Sequence, residues 1–554
     1  MRVLPYLFVL SASVTGVTCK TEAPAKSAST ASPSFLYDDL GKHHREITTS
    51  SKEAQRYFDQ GLILLLAFNH DEAIRSFREA TKRDPSCAAA WWGIAVANGP
   101  HINNPSLDPE HENAALEALE VAKGFTQGRK ESEQQLIAAL AHRYSAAHPG
   151  DRKPLDAAYA DAMRIVWRAH PDDADVGTLF AESMMDLRPW DLWTLEGQPQ
   201  PGTLEIVETL EAVLALDPDH PGANHLYIHT MEASPHPEKA LASADRLRHL
   251  VPGAGHLVHM PAHIDLRLGR YADASIANER AIETDDRHRA LVPKEGFYHV
   301  YMAHNHQFLT YSSMMEGNSA RALQAAHAMV DGVPPEFIAA MGPIVDGFLP
   351  IVLHAEIRFG RWEEVLAYPE FPESLVISNA MRHYARGVAL AALGRVDEAS
   401  KERDQLAAAI LKVDEKAIVG NSPASDVLAI AARMLAGEIA FRSGKQEESF
   451  TLLREGVAFE DKLHYDEPPD WMMPVRHSLG AALLQAQRFE EAEKVFREDL
   501  VRHPENGWSL FGLARCLDAR GAAEEAREAK KRFEKAWARS DVQLKSSCFC
   551  QPGA

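Results

Sequence analysis

Twelve of the 26 histidines in this chain lie between His220 and His306. His225 and His229 stand four positions apart, His259 and His263 likewise, and His256 precedes His259 by three. Spacings of three and four place side chains on one face of a helix. Imidazole is the commonest side-chain metal ligand, and two rings one turn apart can share an ion. Helical proteins build metal sites from ligands on facing helices. Zinc takes three or four such ligands, so a cluster of this size suits one ion with spare groups or two ions. Glu232, three residues after His229, adds a carboxylate as ligand or base. No cysteine is near in sequence, which disfavours a thiolate site. Nitrogen and carboxylate donors suit Zn, Cu, Fe or Ni. The competing chemistry is a polar surface that holds an anion or a peptide carboxylate through charged imidazoles.

A second set of candidates precedes this stretch. In LFAESMMDLRPWDLW, Glu182 and Asp186 share a helical face and could complete a coordination sphere or act as a general base. Asn224 and Tyr311 are candidates to orient ligands or contact a substrate. There is no phosphate-binding loop, dinucleotide fingerprint or nucleophile elbow.

The elements that must position these residues are helices. No long stretch alternates with period two. Instead, helical patterns follow one another with short breaks. AQRYFDQGLILLLAFNHDEAIRSFREATKRDP, ending at Pro85, reads as a two-helix hairpin whose small residues Gly61, Ala73 and Ala80 permit close approach. SLGAALLQAQRFEEAEKVFREDLVRHP repeats the pattern with Gly480, Ala492 and Pro504, which predicts that Gly480 and Ala492 meet where two helices cross. Ala240 and Ala274 are 34 residues apart, as are Val365 and Ala399, and Ala492 and Ala526. This period resembles the tetratricopeptide repeat family from residue 51 to 540. NHLYIHTMEASPHPEKAL and PGAGHLVHMPAHIDLRLGRY are also similar to a group of bacterial repeat proteins. The resemblance implies an all-α, right-handed superhelical solenoid of about ten hairpins, interrupted by loop insertions, whose first helices line a concave groove.

It also implies which residues face that groove. With the small residue of each repeat at position 20, His225, His229 and Glu232 take positions 5, 9 and 12 of one repeat. His256, His259 and His263 take positions 2, 5 and 9 of the next, and His304, Gln307 and Tyr311 those of a third. In the family these positions face the groove, so six histidines and Glu232 are expected to converge there. His354 falls on the edge of the stripe. Pro261 complicates it: a proline is tolerated only in a helix's first turn, so the helix should begin near Met260, with His256 and His259 on the turn before. His220, His236, His249 and His288 are expected at the surface.

Three insertions, at 98–109, 187–202 and 466–474, are rich in Pro, Gly and Trp. They are candidate lids or binding rims, or else packed elbows. Residues 1–19 carry Arg2, an apolar stretch from Val3 to Val17, and Cys19, which reads as a lipoprotein-like export signal. An Ala/Ser/Pro-rich tether is expected over 20–50, histidine-bearing repeats over 51–330, further repeats over 331–540 and a tail over 541–554. A lipidated Cys19 would attach the protein to a membrane outside the cytoplasm, in a periplasm or cell envelope. Cys548 and Cys550 could pair or stay free.

Ordinary globular composition, 45% hydrophobic and 25% charged, excludes a collagen-like, wholly disordered or multi-spanning chain. Five cysteines in 554 residues cannot form a disulfide framework. A formal charge of −21 repels phosphate backbones, so no nucleic-acid partner is expected. Two function classes follow. One is an exported metalloprotein, an enzyme activating water or dioxygen with Glu232 and Tyr311 near a small molecule in the groove. The other is a non-enzymatic scaffold holding a peptide or partner protein.

Overall fold

Hairpins near both ends of the solenoid close because one helix offers no side chain where the other offers a large one. Phe77, on the His70–Arg83 helix, lies between Gly61 of its own hairpin and Gly93 of the next, and a Cβ at either glycine would overlap its ring. Phe496 is held the same way between Gly480 and Gly512. Gly480 therefore meets Phe496, one turn beyond the expected Ala492, which is itself buried. Helix starts are fixed by side-chain caps: Ser51, Asn69, Asp173, Asn318 and Asn506 each accept from a backbone N–H of the first turn.

The computed structural model describes residues 35–292, 296–334, 337–338, 341–342 and 345–551. The expected export signal, Cys19 and the first half of the expected tether lie outside them. Among the described residues the chain is an all-α solenoid from Lys52 to Ala536, with two-residue strands at Ile418–Val419 and Ser422–Pro423. Helices pack chiefly on their sequence neighbours, and residues 36–554 form one compact unit. Its two large apolar cores overlap in sequence, the first reaching Met302 and the second starting at Ala262. No described helix is long and apolar enough to cross a membrane.

Two long-range closures depart from an open solenoid. The first helix, Lys52–Leu66, packs on Pro221–Met231, where Gly222 leaves room for the Leu66 side chain. Near the other end, Trp508 Nε1 donates to Met314 O at 2.9 Å, and the Asp541 carboxylate accepts from the backbone N–H groups of Ser319 and Ala320.

Residues 36–50, expected as the end of a tether, are docked instead. Arg45 pairs with Asp173 and Asp175, His43 with Asp175 at 2.9 Å, and Thr48 N–H donates to Glu133. The Ala/Ser/Pro bias stops before this segment, and its charged side chains find partners. The tail also packs: Ser546, Ser547, Cys548, Cys550 and Gln551 are buried, and Cys548 and Cys550 form a disulfide.

Candidate metal centre

The Pro221–Met231 helix starts on a histidine cap, with Pro221 in its first turn and Ala223 N–H donating to His220 Nδ1 at 3.1 Å. It carries His225 and His229 on one face and ends at Glu232. The close approach at Gly222 brings His225 to the end of the Lys52–Leu66 helix. There the Leu66 carbonyl has no intrahelical partner and accepts from His225 Nδ1 at 2.8 Å. Pro261 splits the next helix as expected, into Gly255–His259 and Pro261–Arg267. His256 and His259 occupy the first piece as one helical turn rather than a loose turn. His259 Nδ1 donates to Asn278 Oδ1 at 2.8 Å, and Asn278 Nδ2 in turn donates to Ala274 O. His304 comes from the His299–Glu316 helix, with Phe308 one turn on and packed against His259 and His263.

These rings form two trios. In one, the ligand atoms of His225, His229 and His256 lie within 4.8 Å of one another; in the other, those of His259, His263 and His304 do. His225 Nε2 stands 3.1 Å from His256 Nε2, and His259 Nε2 stands 2.8 Å from His263 Nε2. Glu232 lies between the trios: one oxygen is 3.0 Å from His229 Nδ1 and the other 2.5 Å from His263 Nδ1. It therefore orients one ring of each trio, the carboxylate–histidine arrangement that fixes a metal ligand's tautomer. His225 Nδ1 is likewise committed to Leu66. His229 Nε2 and His256 Nδ1 are buried without a hydrogen-bond partner.

Burial pushes the imidazoles of His225, His256 and His259 well below their ordinary range, neighbouring histidines adding to it. They are neutral, the state a metal ligand requires. Burial alone would raise Glu232, but His263 and His229 hold it as a carboxylate below the usual range. His263 is the exception among the rings. Burial works downward on it, yet Glu232 and Glu467 outweigh burial and favour its imidazolium. A proton on His263 and a metal ion are thus alternatives for the space between His259 and His263.

All three insertions reach this core. The first sends His101, whose ring is 4.6 Å from that of Phe68, and Phe68 is 4.6 Å from His225. The second sends Trp190, 5.4 Å from the His229 ring and tied to the first by Nε1 donating to Asn103 Oδ1. The third sends Glu467, 3.2 Å from His263 Nδ1, and Tyr465 just before it donates to Glu467. Phe68 and Trp190 have φ of 58° and 59°, a left-handed backbone uncommon for bulky side chains and recurrent at functional sites. A small open cleft, about 350 Å³ including its mouth, reaches the core between Ile102, Trp190, Leu192 and Arg188, with His229 and Glu232 at its floor.

The expected open groove is therefore a filled one. His225, His229, Glu232, His256, His259 and His263 are all buried and His304 is half-buried, with side chains of the three insertions packed around the cluster. Five expected residues lie elsewhere. Tyr311 shares the face of His304 but sits seven residues on, about 10 Å along the helix, in the second apolar core. Glu182 and Asp186 share a face as expected but line a neighbouring cavity with His70, Arg143 and Tyr159. Asp186 is ion-paired to Arg143 there. Burial first pushes both carboxyls up, with the charge of Asp186 adding to it at Glu182 and that of Asp156 at Asp186, while Arg143 works downward on both. Asn224 donates to Pro218 O and His220 O and stabilises the helix start. His354 packs on Trp471 and, among the described residues, belongs to no group of converging ligands.

Other residues of the site escape the repeat register. Phe68, His70 and His101 lie outside the stripe, and Glu467 is distant in sequence; their membership of the insertions, or nearness to the first hairpin's turn, was the available signal. The His70 and His101 rings lie 4.5 Å apart, inclined by 59°, beside the first trio. His236 and His249 are exposed as expected, whereas His220 and His288 are buried.

A further group, His43, Asp175 and His220, also has converging ligand atoms but a different chemistry. Since His220 Nδ1 accepts from Ala223 N–H, its proton is on Nε2, which donates to Asp175 Oδ1 at 3.1 Å. Burial would raise Asp175, but His220 and His43 hold it well below the carboxylate range. This group pins residues 36–50 to the solenoid.

In comparison with known proteins, residues 58–98 and 477–540 match the family model described as tetratricopeptide repeat. No curated protein matches the chain. Among solved structures, a human IFIT1 dimer with PPP-AAAA is 13% identical, covering 86% of this chain and 88% of that one, with a TM-score of 0.31. The Cut9–Hcn1 hetero-tetramer of APC/C is 12% identical over 88% and 74%, TM-score 0.29, and yeast Tom70 12% over 88% and 92%, TM-score 0.25. At such TM-scores these neighbours say nothing about the site.

Proposed function

We propose that this chain, a tetratricopeptide-repeat protein, is a metalloprotein that holds a transition-metal ion at His225, His229 and His256. The observation behind this reading is the state of the ring nitrogens. Nδ1 of His225 is committed to Leu66 O and Nδ1 of His229 to Glu232, while His225 Nε2 and His256 Nε2 face each other at 3.1 Å. One proton shared at that contact satisfies only those two nitrogens, while His229 Nε2 stays buried without a partner, a cost that a cation joining the three rings would offset. Three nitrogen donors of borderline softness suit Zn, Cu, Fe or Ni. They leave a coordination position open, as catalytic rather than structural sites do.

The cleft beside Trp190 gives that position a route to solvent. A bound ion there would supply Lewis-acid or water-activating chemistry to a small molecule. Glu232 acts in this reading by orienting ligands rather than as a catalytic group. A scaffold that binds a peptide or partner protein, the common role of such repeats, is the second reading, and the tetratricopeptide match supports it; the histidine core, being buried, is not the surface that it would use. A charge of −21 keeps nucleic acid out of the proposal.

We also place the protein outside the cytoplasm, anchored through Cys19. The apolar segment ending at that cysteine supports this, as does the Cys548–Cys550 disulfide, which suits an oxidising compartment. Fractionation of cells making wild type and Cys19→Ala tests it: wild type should be with membranes and the variant soluble, and a cytoplasmic wild type contradicts it. The metal reading is tested by elemental analysis of protein purified without a metal-binding tag. A stoichiometric transition metal, lost in His225→Ala, is expected; metal-free protein that also fails to take up Zn²⁺ would overturn the reading.

A further inference from the structure

We infer that the histidine core is a two-ion centre, with a second transition-metal ion held by His259, His263 and His304. The inference rests on the metal reading of the first trio and extends it.

Geometry separates the two trios. Metal–nitrogen distances of about 2.0–2.1 Å put the donors of one tetrahedral ion about 3–3.5 Å apart. Within each trio the ligand atoms lie on that scale, all within 4.8 Å. Ring spacing alone does not part them, since His229 to His263 at 5.5 Å and His256 to His259 at 5.9 Å are no further between centroids than His229 to His256 at 6.2 Å within the first trio; what parts them is the carboxylate that converges with His229 and His263. Glu232 occupies the junction. Its two oxygens take the Nδ1 atoms of His229 and His263, so each of those rings can offer its Nε2 to its own trio. A single ion between the trios would have to displace that carboxylate from both rings.

The second trio also has its own supporting groups, distinct from those of the first. Asn278 fixes the His259 tautomer, leaving Nε2 free of a proton. Glu467, from the third insertion, joins Glu232 on His263 Nδ1. Phe308 walls the site, its ring 5.0 Å from His259 and 5.2 Å from His263. The first trio instead meets Phe68 and Trp190 and faces the cleft. One carboxylate between two cations also offsets part of their repulsion. The two sites therefore divide in character: one reached from the cleft, the other closed by an aromatic wall and a carboxylate.

The test is the stoichiometry of Zn²⁺ uptake by the full chain, stripped with a chelator and titrated against a competing chromophoric chelator, with bound metal counted by elemental analysis. Wild type should bind two equivalents. His256→Gln should lose one and keep the site at His263; His304→Gln should lose the other and keep the site at His225. Glu232→Gln, touching both, should weaken both by about 10- to 100-fold. A wild type that binds one equivalent, abolished by either histidine change, would show a single shared centre and overturn the inference. One equivalent that responds to His256→Gln but not to His304→Gln would overturn it too, while leaving the first site standing. No uptake at all would remove the metal reading itself. The wild-type count needs no variant, so it decides the matter even where a variant fails to fold.

Discussion

Two buried polar clusters sit in the two halves of this molecule, and both are built on histidine. In the C-terminal half, His477 Nδ1 accepts from Arg358 at 3.0 Å, and its Nε2–H donates to Asp499 at 2.9 Å. Asp499 also accepts from Ser509 Oγ, Asn506 Nδ2 and His503 Nδ1. The Arg358 guanidinium lies 3.6 Å from the centre of the Trp508 ring. Here both nitrogens of the buried histidine have a protein partner, so nothing is left for a ligand. In the N-terminal half, His225, His229 and His256 are just as buried, yet their remaining nitrogens meet only one another or nothing. Burial and residue type are alike in the two places. What separates a structural histidine from a candidate ligand is whether the second ring nitrogen is used by a group other than another histidine, as His477 Nδ1 is by Arg358, or meets only a neighbouring imidazole or nothing.

The largest effect expected from breaking this contrast is at Asp499. Asp499→Ala strands His477 and the Arg358 guanidinium in the core and should cost about 3–5 kcal/mol of stability, read by urea unfolding, with Zn²⁺ uptake unchanged. The same carboxylate has a pH signature. Burial alone would raise it, but His477 and His503 hold it well below its ordinary value. A depressed carboxylate contributes fully above its unfolded value of about 3.9 and loses that contribution as pH falls through the lower folded value. Wild type should therefore lose stability on acidification below about pH 4, and Asp499→Asn should lose less over that range. A variant as acid-sensitive as wild type would show that the cluster is not the source.

A smaller effect isolates the repeats from both clusters. Gly480→Ala drives a methyl into the Phe496 ring, an overpacking that costs about 1–3 kcal/mol. Because a solenoid's stability is largely nearest-neighbour, hydrogen exchange should quicken in the C-terminal hairpins and not around Phe77. Uniform loosening would mean that the end-to-middle closures couple the whole chain. The smallest effect is expected where nitrogens are left over. In metal-free protein, His256→Leu removes a buried polar group whose Nδ1 has no partner, so stability should change by less than about 1 kcal/mol. A loss as large as that of Asp499→Ala would mean the ring is structural after all.

Much of the scaffold was legible in the sequence because repeat physics is local. Small residues spaced against a large one, as at Gly61 and Phe77, report a hairpin wherever they occur. The stripe from His225 to His263 was legible for the same reason: helical spacing decides which side chains share a face. The closure of the chain was not. Glu467 reaches His263 across about 200 residues of sequence, and His101 arrives on an insertion outside the repeat register. Counting positions also gives the face of a helix but not the distance along it. Tyr311 therefore has the right face and the wrong level. The docking of residues 36–50 depended on pairs such as Arg45 with Asp173, which no local pattern announces.

The central claim, that unused ring nitrogens and not burial define the ligand set, is met most directly by comparing two variants for bound metal. His229→Ala and His477→Ala each remove one buried histidine, the first from the open set and the second from the satisfied one. The account predicts that His229→Ala loses the ion at the first trio, while His477→Ala, though less stable, retains the wild-type metal content at a temperature where both remain folded. Equal metal content in the two, whether both full or both empty, would contradict it.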